Sequence, residues 1–514
     1  MKKRMVLAAT LMFLSTFVAQ SLSAADGIHQ RGCRAGKPNP QFVHRRSSLL
    51  QNGENPMIGN RRQLVVLASF QDQDFTQDHE SAIATWDQVF NAENFSDDKY
   101  VGSLHDYFLA QSYGQFNLTF DLVFVELPNE RRKYRSTSID DENSQYMVDD
   151  IVDKLMKQDI DWSKYDWDGD SFVNQLIILY AGKGMNAGGG SNSIWPHQWW
   201  LSQHLDQETD DPNDFRSYRT VTSGDREYHI DCYCCVQEIV HYGGTETPFG
   251  TLCHEYSHCF GLPDFYYGTS SVVSSWDLMD AGIFNEKGFR PCGYSAHERM
   301  MMGWLTPVEL TSTIHITNMP ALCDEPQAYL IRNDGAENEY YIVENRQRKG
   351  WDKELPGSGI VVFHVDYDKQ IWEGSDEYPN SALKTRYSIF HANNAGSSRF
   401  DGWAYPYIDN KGDAPMVNDE LTNTSKPAAT LNNPNLDGEL LMSKPITEMS
   451  VHADGLASFV FMDQVDTAID APSIQGSPNQ SSDPEWYAID GRKLSGKPTQ
   501  KGIYILEGKK VIIP

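Results

Sequence analysis

The sequence has no basic block and only one long apolar run. Its 514 residues include 71 Asp and Glu against 43 Lys and Arg, which gives a formal net charge of −28. Because binding to phosphates needs clustered Lys and Arg, a nucleic-acid partner is not expected. The lone apolar run lies at the N-terminus, so a protein with several membrane spans is excluded. What remains is a globular composition, with 40% apolar and 22% charged residues, in a chain long enough for roughly two to four domains.

The N-terminal apolar run has the layout of a secretory signal peptide. A basic segment, Lys2 to Arg4, precedes an apolar core over 6–19, and small residues follow up to Ala25. This order predicts a signal peptide over residues 1–25 and a secreted or cell-surface protein without a transmembrane segment after cleavage. The alternative, a signal anchor, requires a longer apolar core. In that compartment the eight cysteines are able to form disulfides, but their spacing does not reveal the pairing.

Composition divides the rest of the chain into five parts, and the fold class that they predict is α+β. Residues 26–60 are polar and are interpreted as a pro-segment or N-terminal tail. Helix-like and strand-like periodicities alternate over 61–306, the first large domain. Apolar alternation then predicts a β-rich, sandwich-like domain over 307–463. Pro, Ser and Asp predict a linker at 464–484, and residues 485–514 form a small β unit.

The segment LCHEYSHCFGLPDFY carries the residues that point to chemistry. His254 and His258 lie one helical turn apart, at the spacing that lets two imidazoles share a metal ion. Glu255 lies beside the first histidine and is the candidate general base for a water activated by that ion. A glycine three residues after His258 can reverse the chain, which makes Asp264 the candidate third ligand. Three protein ligands and one open position are typical of a catalytic site, so the pattern predicts one catalytic Zn²⁺.

A candidate Met-turn follows this motif. Met279 lies in WDLMDAG, 15 residues after Asp264. A methionine turn after an extended HExxH motif is typical of metzincins. A lone methionine is more often ordinary core, so this interpretation depends on the spacing from the motif.

HEYSHCFGLPDFY together with WDLMDAG resembles the M6 peptidases, the immune-inhibitor-A-like metalloproteases. The resemblance extends over about 60–460 and includes the segments 102–116, 165–182, 194–199, 295–307, 340–352 and 355–366. It implies a metzincin-like zinc peptidase domain over 61–306, followed by the β-rich domain. Carried over by motif, His254, His258 and Asp264 bind zinc and Glu255 is the base. Most metzincins have His where Asp264 stands, whereas this family's pattern has Asp.

One alternative for the third ligand stays open. If Asp264 only ended the helix, a carboxylate further along the chain would complete the site, and Glu298 in SAHER is the best candidate. A carboxylate ligand also reduces the net charge of the site, so a bound water is acidified less.

The predicted function is that of a secreted zinc metalloendopeptidase acting on proteins or peptides. Zinc would polarise the scissile carbonyl, and Glu255 would move a proton from water to the leaving amine. A substrate strand could pair with an edge strand, and Ser193–Trp200 is the candidate because Pro196 excludes a central position. The alternative is a catalytically inactive surface adhesin or peptide-binding protein on the same scaffold, which the intact glutamate disfavours.

An acidic loop precedes the strand-like segment NQLIILY. Asp166, Asp168, Asp170 and Asn174 stand at positions 1, 3, 5 and 9 of a calcium-loop pattern. Ser171 replaces the usual glycine of that pattern, and its last position lacks a glutamate. The loop is a candidate Ca²⁺ site, and the alternative is an acidic turn before a strand.

Features near the two ends of the chain point to processing and export. Cys33 is a candidate latency switch whose thiolate would ligate the zinc, although a disulfide or a free thiol is the simpler interpretation. The segment WYAIDGRKLSGKPTQKGIYILEGKKVIIP resembles the C-terminal sorting domains of type IX secretion, which implies that machinery as a partner. A small β-cap on the second domain is the alternative.

Overall fold

The computed structural model describes residues 55–135, 143–204, 216–240, 247–268, 270–374, 378–396, 399–410 and 415–463 as one compact unit, and parts of 486–513 as a second. Three predicted segments lie outside the described residues: the signal peptide, the part of the tail that follows it up to residue 54, including Cys33, and the linker 464–484. None of the helices in the described ranges is long and apolar enough to cross a membrane.

A mixed five-stranded sheet organises the first half of the large unit. The strands of this half are β1 (Gly59–Ser69), β2 (Phe116–Glu126), β3 (Phe172–Val173), β4 (Leu176–Lys183), β5 (His197–Trp200), β6 (Arg219–Ser223), β7 (Arg226–Ile230) and β8 (Cys232–Ile239). The sheet has the order β2-β1-β4-β8-β5, with β5 antiparallel to β8 at one edge and the other pairs parallel. Strands β1 and β4, the latter formed from the strand-like segment NQLIILY, lie in its interior, and their apolar residues are buried. Strands β3, β7 and β6 form a smaller sheet.

Helices pack against this sheet, and their starts follow from the sequence. They are α1 (His79–Asn91), α2 (Leu104–Gln111), α3 (Ser144–Leu155) and α4 (Gly250–Cys259). Asp78 caps α1 through Ser81, and Ser103 forms a capping box with Asp106 at the start of α2. Helix α4 contacts β8 and β5 and is buried along its whole length, although it carries two histidines and a glutamate. Buried polar groups of this kind need partners, so α4 is where a functional site is expected.

The second half of the large unit is rich in strands. Its elements are α5 (Ala296–Met301), β9 (Val308–Glu309), β10 (Ile314–Met319), β11 (Tyr329–Asn333), β12 (Ala336–Arg346), β13 (Gly359–Asp366), α6 (Lys369–Gly374), β14 (Tyr387–Ile389), β15 (Tyr407–Asp409), β16 (Met416–Asn418), β17 (Ile446–Val451) and β18 (Ala457–Phe461). One sheet has the order β14-β13-β12-β11-β9, a second has the order β10-β18-β17, and β15 pairs with β16.

The larger sheet of this second half faces two different cores. Successive residues of a strand point to opposite faces, so Ile342 and Phe363 pack into a core shared with the first half of the unit. Their neighbours Tyr341 and Val362 pack into a second core with residues of β17 and β18. One face of the sheet β14-β13-β12-β11-β9 therefore belongs to the core that is shared with the first half, and the other face belongs to the second core.

The second unit contains three short strands. They are β19 (Trp486–Ala488), β20 (Gly502–Leu506) and β21 (Lys509–Ile513), and β20 pairs antiparallel with both neighbours. Residues 485–514 were predicted as a small β unit, and the described parts of this segment form these three strands. The resemblance of residues 485–514 to a sorting domain stays a prediction.

Candidate metal centre

Helix α4 and the loop after it bring two imidazoles and one carboxylate together. His254 and His258 lie on one face of α4, as their spacing predicts. The helix ends at Cys259, and Gly261 has a φ of 90°, the left-handed conformation that turns the chain back. Asp264 then lies with its Oδ1 atom 3.1 Å from Nε2 of His254 and 3.3 Å from Nε2 of His258. All three side chains are buried.

Backbone carbonyls orient both imidazole rings. Nδ1 of His254 lies 3.0 Å from the carbonyl oxygen of Leu278, and Nδ1 of His258 lies 2.7 Å from that of Leu262. A carbonyl oxygen only accepts, so each Nδ1 carries the hydrogen. Each ring therefore presents Nε2 to Asp264, which is the arrangement that fixes the tautomer of a metal-ligating histidine.

The donor set fits a zinc ion. Nε2 of His258 and Oδ1 of Asp264 are buried atoms for which the described residues supply no hydrogen bond, although the two atoms face each other at 3.3 Å. Such orphaned atoms are rare in a folded protein unless another group satisfies them. Two imidazole nitrogens and one carboxylate oxygen form a ligand set used by catalytic zinc, with a fourth position open. His254, Glu255 and His258 also place one ligand atom each within 4.8 Å of one another.

Burial and charge shift the acid–base properties of the centre. Burial lowers the pKa of His254, but the close contact with the Asp264 carboxylate and the negative charges of Glu255 and Asp264 outweigh it and bring this pKa to about 9. Burial raises the pKa of Glu255 above its ordinary value, partly offset by the two histidines. A proton and a metal ion compete for the same imidazole nitrogen, so metal binding at this centre releases a proton.

The candidate Met-turn lies directly beside the loop that follows α4 and carries Asp264, which we call the ligand loop. Met279 is fully buried, and its N–H donates to Oδ1 of Asp277 over 2.8 Å. Its carbonyl oxygen accepts from the N–H of Phe265, the residue after Asp264, over 3.0 Å. Burial raises the pKa of Asp277 to about 7. The turn and the ligand loop are thus joined by backbone hydrogen bonding.

Glu298, the alternative third ligand, has a different environment. Its Oε2 atom accepts a hydrogen bond of 2.6 Å from the N–H of Ser295, and the two residues form the capping box of α5. Its Oε1 atom is buried and has no hydrogen-bond partner among the described residues. Burial and the neighbouring Asp277 raise the pKa of Glu298 well above its ordinary value. The carboxylate that contacts His254 and His258 is that of Asp264.

The acidic loop before β4 gathers its three aspartates. One oxygen each of Asp166, Asp168 and Asp170 lie within 4.8 Å of one another. Oδ1 of Asp166 and Oδ1 of Asp168 are buried, and no residue in the described ranges forms a hydrogen bond with either atom. Burial and mutual repulsion raise the pKa of Asp168 above its ordinary value.

Two further residues shape this loop. Asn174 accepts a hydrogen bond at Oδ1 from the N–H of Trp167 and so closes the loop on itself. Ser171 has a φ of 71°, the left-handed conformation for which calcium loops usually carry glycine. The departure from glycine noted in the sequence therefore does not change the backbone conformation at that position.

Six cysteines in the described part of the chain are free thiols: Cys232, Cys234, Cys253, Cys259, Cys292 and Cys323. Burial raises the pKa of Cys253 and Cys259 well above the ordinary value, so these two thiols of α4 are not activated nucleophiles.

Two residues from the second half of the unit reach the centre without any signal in the sequence. Asn380 and Tyr387 contact the segment that carries Asp264, although more than a hundred residues separate them along the chain. Neither belongs to a recognisable motif, so only the structure identifies them.

Comparison with known proteins gives the class of the first half. Residues 61–304, nearly half of the chain, match the family model described as the immune inhibitor A peptidase M6 catalytic domain. The matched residues include His254, Glu255, His258 and Asp264, so the segment that carries the candidate ligands is similar to a peptidase catalytic domain.

Among curated proteins, Immune inhibitor A of Bacillus thuringiensis subsp. alesti is similar to this chain. The two are 23% identical over 267 residues, which covers 44% of this chain and 35% of the relative. The chain thus spans about a third of the length of that relative.

Proposed function

We propose that this protein is a secreted zinc-dependent endopeptidase that hydrolyses peptide bonds of proteins. The observation that carries the proposal is the convergence of His254, His258 and Asp264, with two of their facing atoms buried and given no hydrogen bond by the part of the chain that the structure describes. The match of the surrounding residues to an M6 catalytic domain supports it. When bound, zinc would supply Lewis-acid activation of a water and of the scissile carbonyl.

Glu255 is the proposed general base. It is next to the first imidazole on α4, and its burial raises its pKa towards the range where a carboxylate accepts a proton readily. In the proposed reaction it takes a proton from the attacking water and delivers it to the leaving amine. The side chains of His254, His258 and Asp264 hold the metal and do not transfer protons.

Strand β5 is the proposed docking edge for substrate. It ends the main sheet, and its only strand neighbour within the described residues is β8. An extended peptide could add to such an edge through main-chain hydrogen bonds. Strand β5 contacts α4, so a peptide at this edge would lie near the metal centre.

The acidic loop is the proposed second metal site, for Ca²⁺. Hard carboxylate oxygens at this spacing are what calcium prefers. The unsatisfied atoms of Asp166 and Asp168 support this assignment. Export through the 1–25 segment and a sorting role for the C-terminal unit complete the proposal.

The test is digestion of casein or gelatin by the purified full chain. We expect digestion to stop when a zinc chelator is added and to resume when zinc is restored. Glu255→Ala should reduce the rate by at least about 100-fold, since a general base contributes 10²–10⁴-fold. Glu309→Gln, an exposed glutamate paired with Arg332, is the matched control and should keep full activity.

Two outcomes would contradict the proposal. Digestion that persists in Glu255→Ala would remove the proposed base. Zinc binding by the wild-type chain without any digestion would favour the peptide-binding alternative.

A further inference from the structure

We infer that Asn380 and Tyr387, two buried residues of the β-rich half, are positioning residues that hold the ligand loop and the Met-turn of the metal centre. The inference rests on the proposed zinc-peptidase function. It makes the sheet that ends in β14 a part of the active centre, in addition to its role in the apolar core.

Asn380 binds the ligand loop through its side-chain amide. Its Nδ2 atom donates 2.7 Å to the carbonyl oxygen of Phe265 and 2.8 Å to that of Tyr387. Its Oδ1 atom accepts from the N–H groups of Arg386 and Tyr387, each over 2.9 Å. Asn380 is fully buried and uses all four of its hydrogen-bonding positions. It therefore fixes the backbone of Phe265, the neighbour of Asp264, relative to β14.

The ring of Tyr387 supports the same residue from its side chain. It stacks on the ring of Phe265 with the centroids 3.8 Å apart and an angle of 24° between the planes. Phe265 is thereby held at its carbonyl by Asn380, at its N–H by Met279 and at its ring by Tyr387. A residue held at three points leaves Asp264 little freedom to move away from the imidazoles.

The hydroxyl of Tyr387 extends the support to the other side of the centre. It donates to Oδ2 of Asp277 over 3.0 Å and lies 2.8 Å from Oγ of Ser295. The other oxygen of Asp277 accepts from the N–H of Met279. The residue between Asp277 and Met279 is Leu278, whose carbonyl oxygen orients His254. One tyrosine is thus connected to the carboxylate ligand through its ring and to an imidazole ligand through its hydroxyl.

The consequence is a specific effect on metal affinity. Groups that orient metal ligands typically change metal affinity or activity by roughly 10–100-fold when they are removed. Tyr387→Phe deletes one oxygen and keeps the stacked ring. Asn380→Asp keeps the size of the side chain but turns two donor hydrogens into an oxygen that faces two carbonyl oxygens. Both variants should weaken zinc binding while the protein stays folded.

The experiment measures zinc affinity of the full chain by competition with a chromophoric chelator, together with kcat, KM and the thermal midpoint. Matched controls exist in the second core. Tyr341 is a buried tyrosine whose hydroxyl donates to the carbonyl oxygen of Thr430. Asn345 is a buried asparagine whose amide donates to the carbonyl oxygens of Met319 and Gly455. These hydrogen bonds stay within the β-rich half, so Tyr341→Phe and Asn345→Asp should lower the thermal midpoint without changing zinc affinity.

We expect zinc affinity to fall at least about 10-fold in Tyr387→Phe and in Asn380→Asp, and less than about 3-fold in the two controls. A loss of kcat at unchanged KM should accompany it, because the substrate edge β5 is untouched. Equal zinc affinity in Tyr387→Phe and Tyr341→Phe would overturn the inference and leave the peptidase proposal intact. A wild-type chain that binds no zinc would overturn both.

Discussion

Asp264 is the residue on which the ligand set depends most. Asp264→Ala removes the carboxylate that contacts both imidazoles, so we expect zinc affinity to fall by at least about 100-fold, more than for a residue that only orients ligands. Glu298→Gln should keep zinc, because its carboxylate caps α5. Metal content after dialysis against buffered zinc measures zinc binding in both variants. If zinc were lost from Glu298→Gln and retained in Asp264→Ala, Glu298 would be the third ligand.

At the same scale, the sequence predicts the ligating side chains but not what orients them. The spacing of His254 and His258 follows from helical periodicity, and a glycine that accepts positive φ accounts for the return of Asp264. The carbonyl oxygens of Leu262 and Leu278 carry no side-chain signal, so no pattern could indicate them. Contacts from Asn380 and Tyr387 depend on tertiary packing across more than a hundred residues.

Among the structural elements, the acidic loop offers a test that is independent of catalysis. Calcium bound to the folded chain alone stabilises it by about 2.7 kcal/mol at a hundredfold excess over Kd. We therefore expect millimolar Ca²⁺ to raise the thermal midpoint of the wild-type chain by several degrees. Asp168→Asn should abolish most of this rise because Asp168 supplies one of the unsatisfied oxygens.

The matched control for this loop is Asp161→Asn. Asp161 is an acidic residue a few positions upstream that binds Ser163 locally and is half exposed. This variant should respond to Ca²⁺ as the wild type does. A wild-type midpoint that does not change with Ca²⁺ would show that the loop is an acidic turn.

Long elements with one clear periodicity could be predicted, whereas short ones could not. The segments that form β1, β4 and β13 are apolar and long enough to identify as strands. Strands such as β14 and β16 have three residues, too few to show alternation. An edge strand was predicted over Ser193–Trp200 because of Pro196; the structure has β5 at an edge of the sheet, but the strand begins at His197, directly after that proline. Strand order was not predictable, because it depends on which apolar faces meet in the folded chain.

For the molecule as a whole, the sheet from β14 to β9 is the element that links chemistry to stability. One face packs with the first half of the large unit, which contains the candidate metal centre, and the other packs with the second core. Damage to the second core should therefore reduce stability first, and damage near β14 should reduce metal binding first. The contrast between Tyr341 and Tyr387 is one case of this rule.

The last prediction concerns the pH dependence of stability at Glu339, a residue of β12. Burial alone would raise the pKa of Glu339, but hydrogen bonds from His364 and from the N–H of Asn432 outweigh it and lower this pKa from 4.5 to about 2. A carboxyl whose pKa is lower in the folded chain stabilises above its unfolded pKa, and that contribution is lost as pH falls from about 4.5 to about 2. Glu339→Gln should therefore lower the thermal midpoint at pH 7 by roughly 2–4 °C, with the difference shrinking below pH 4. The exposed Glu309→Gln should show little change at either pH, since surface pairs contribute little. A difference between Glu339→Gln and wild type that stays constant from pH 7 to pH 3 would show that the hydrogen bonds act without the charge.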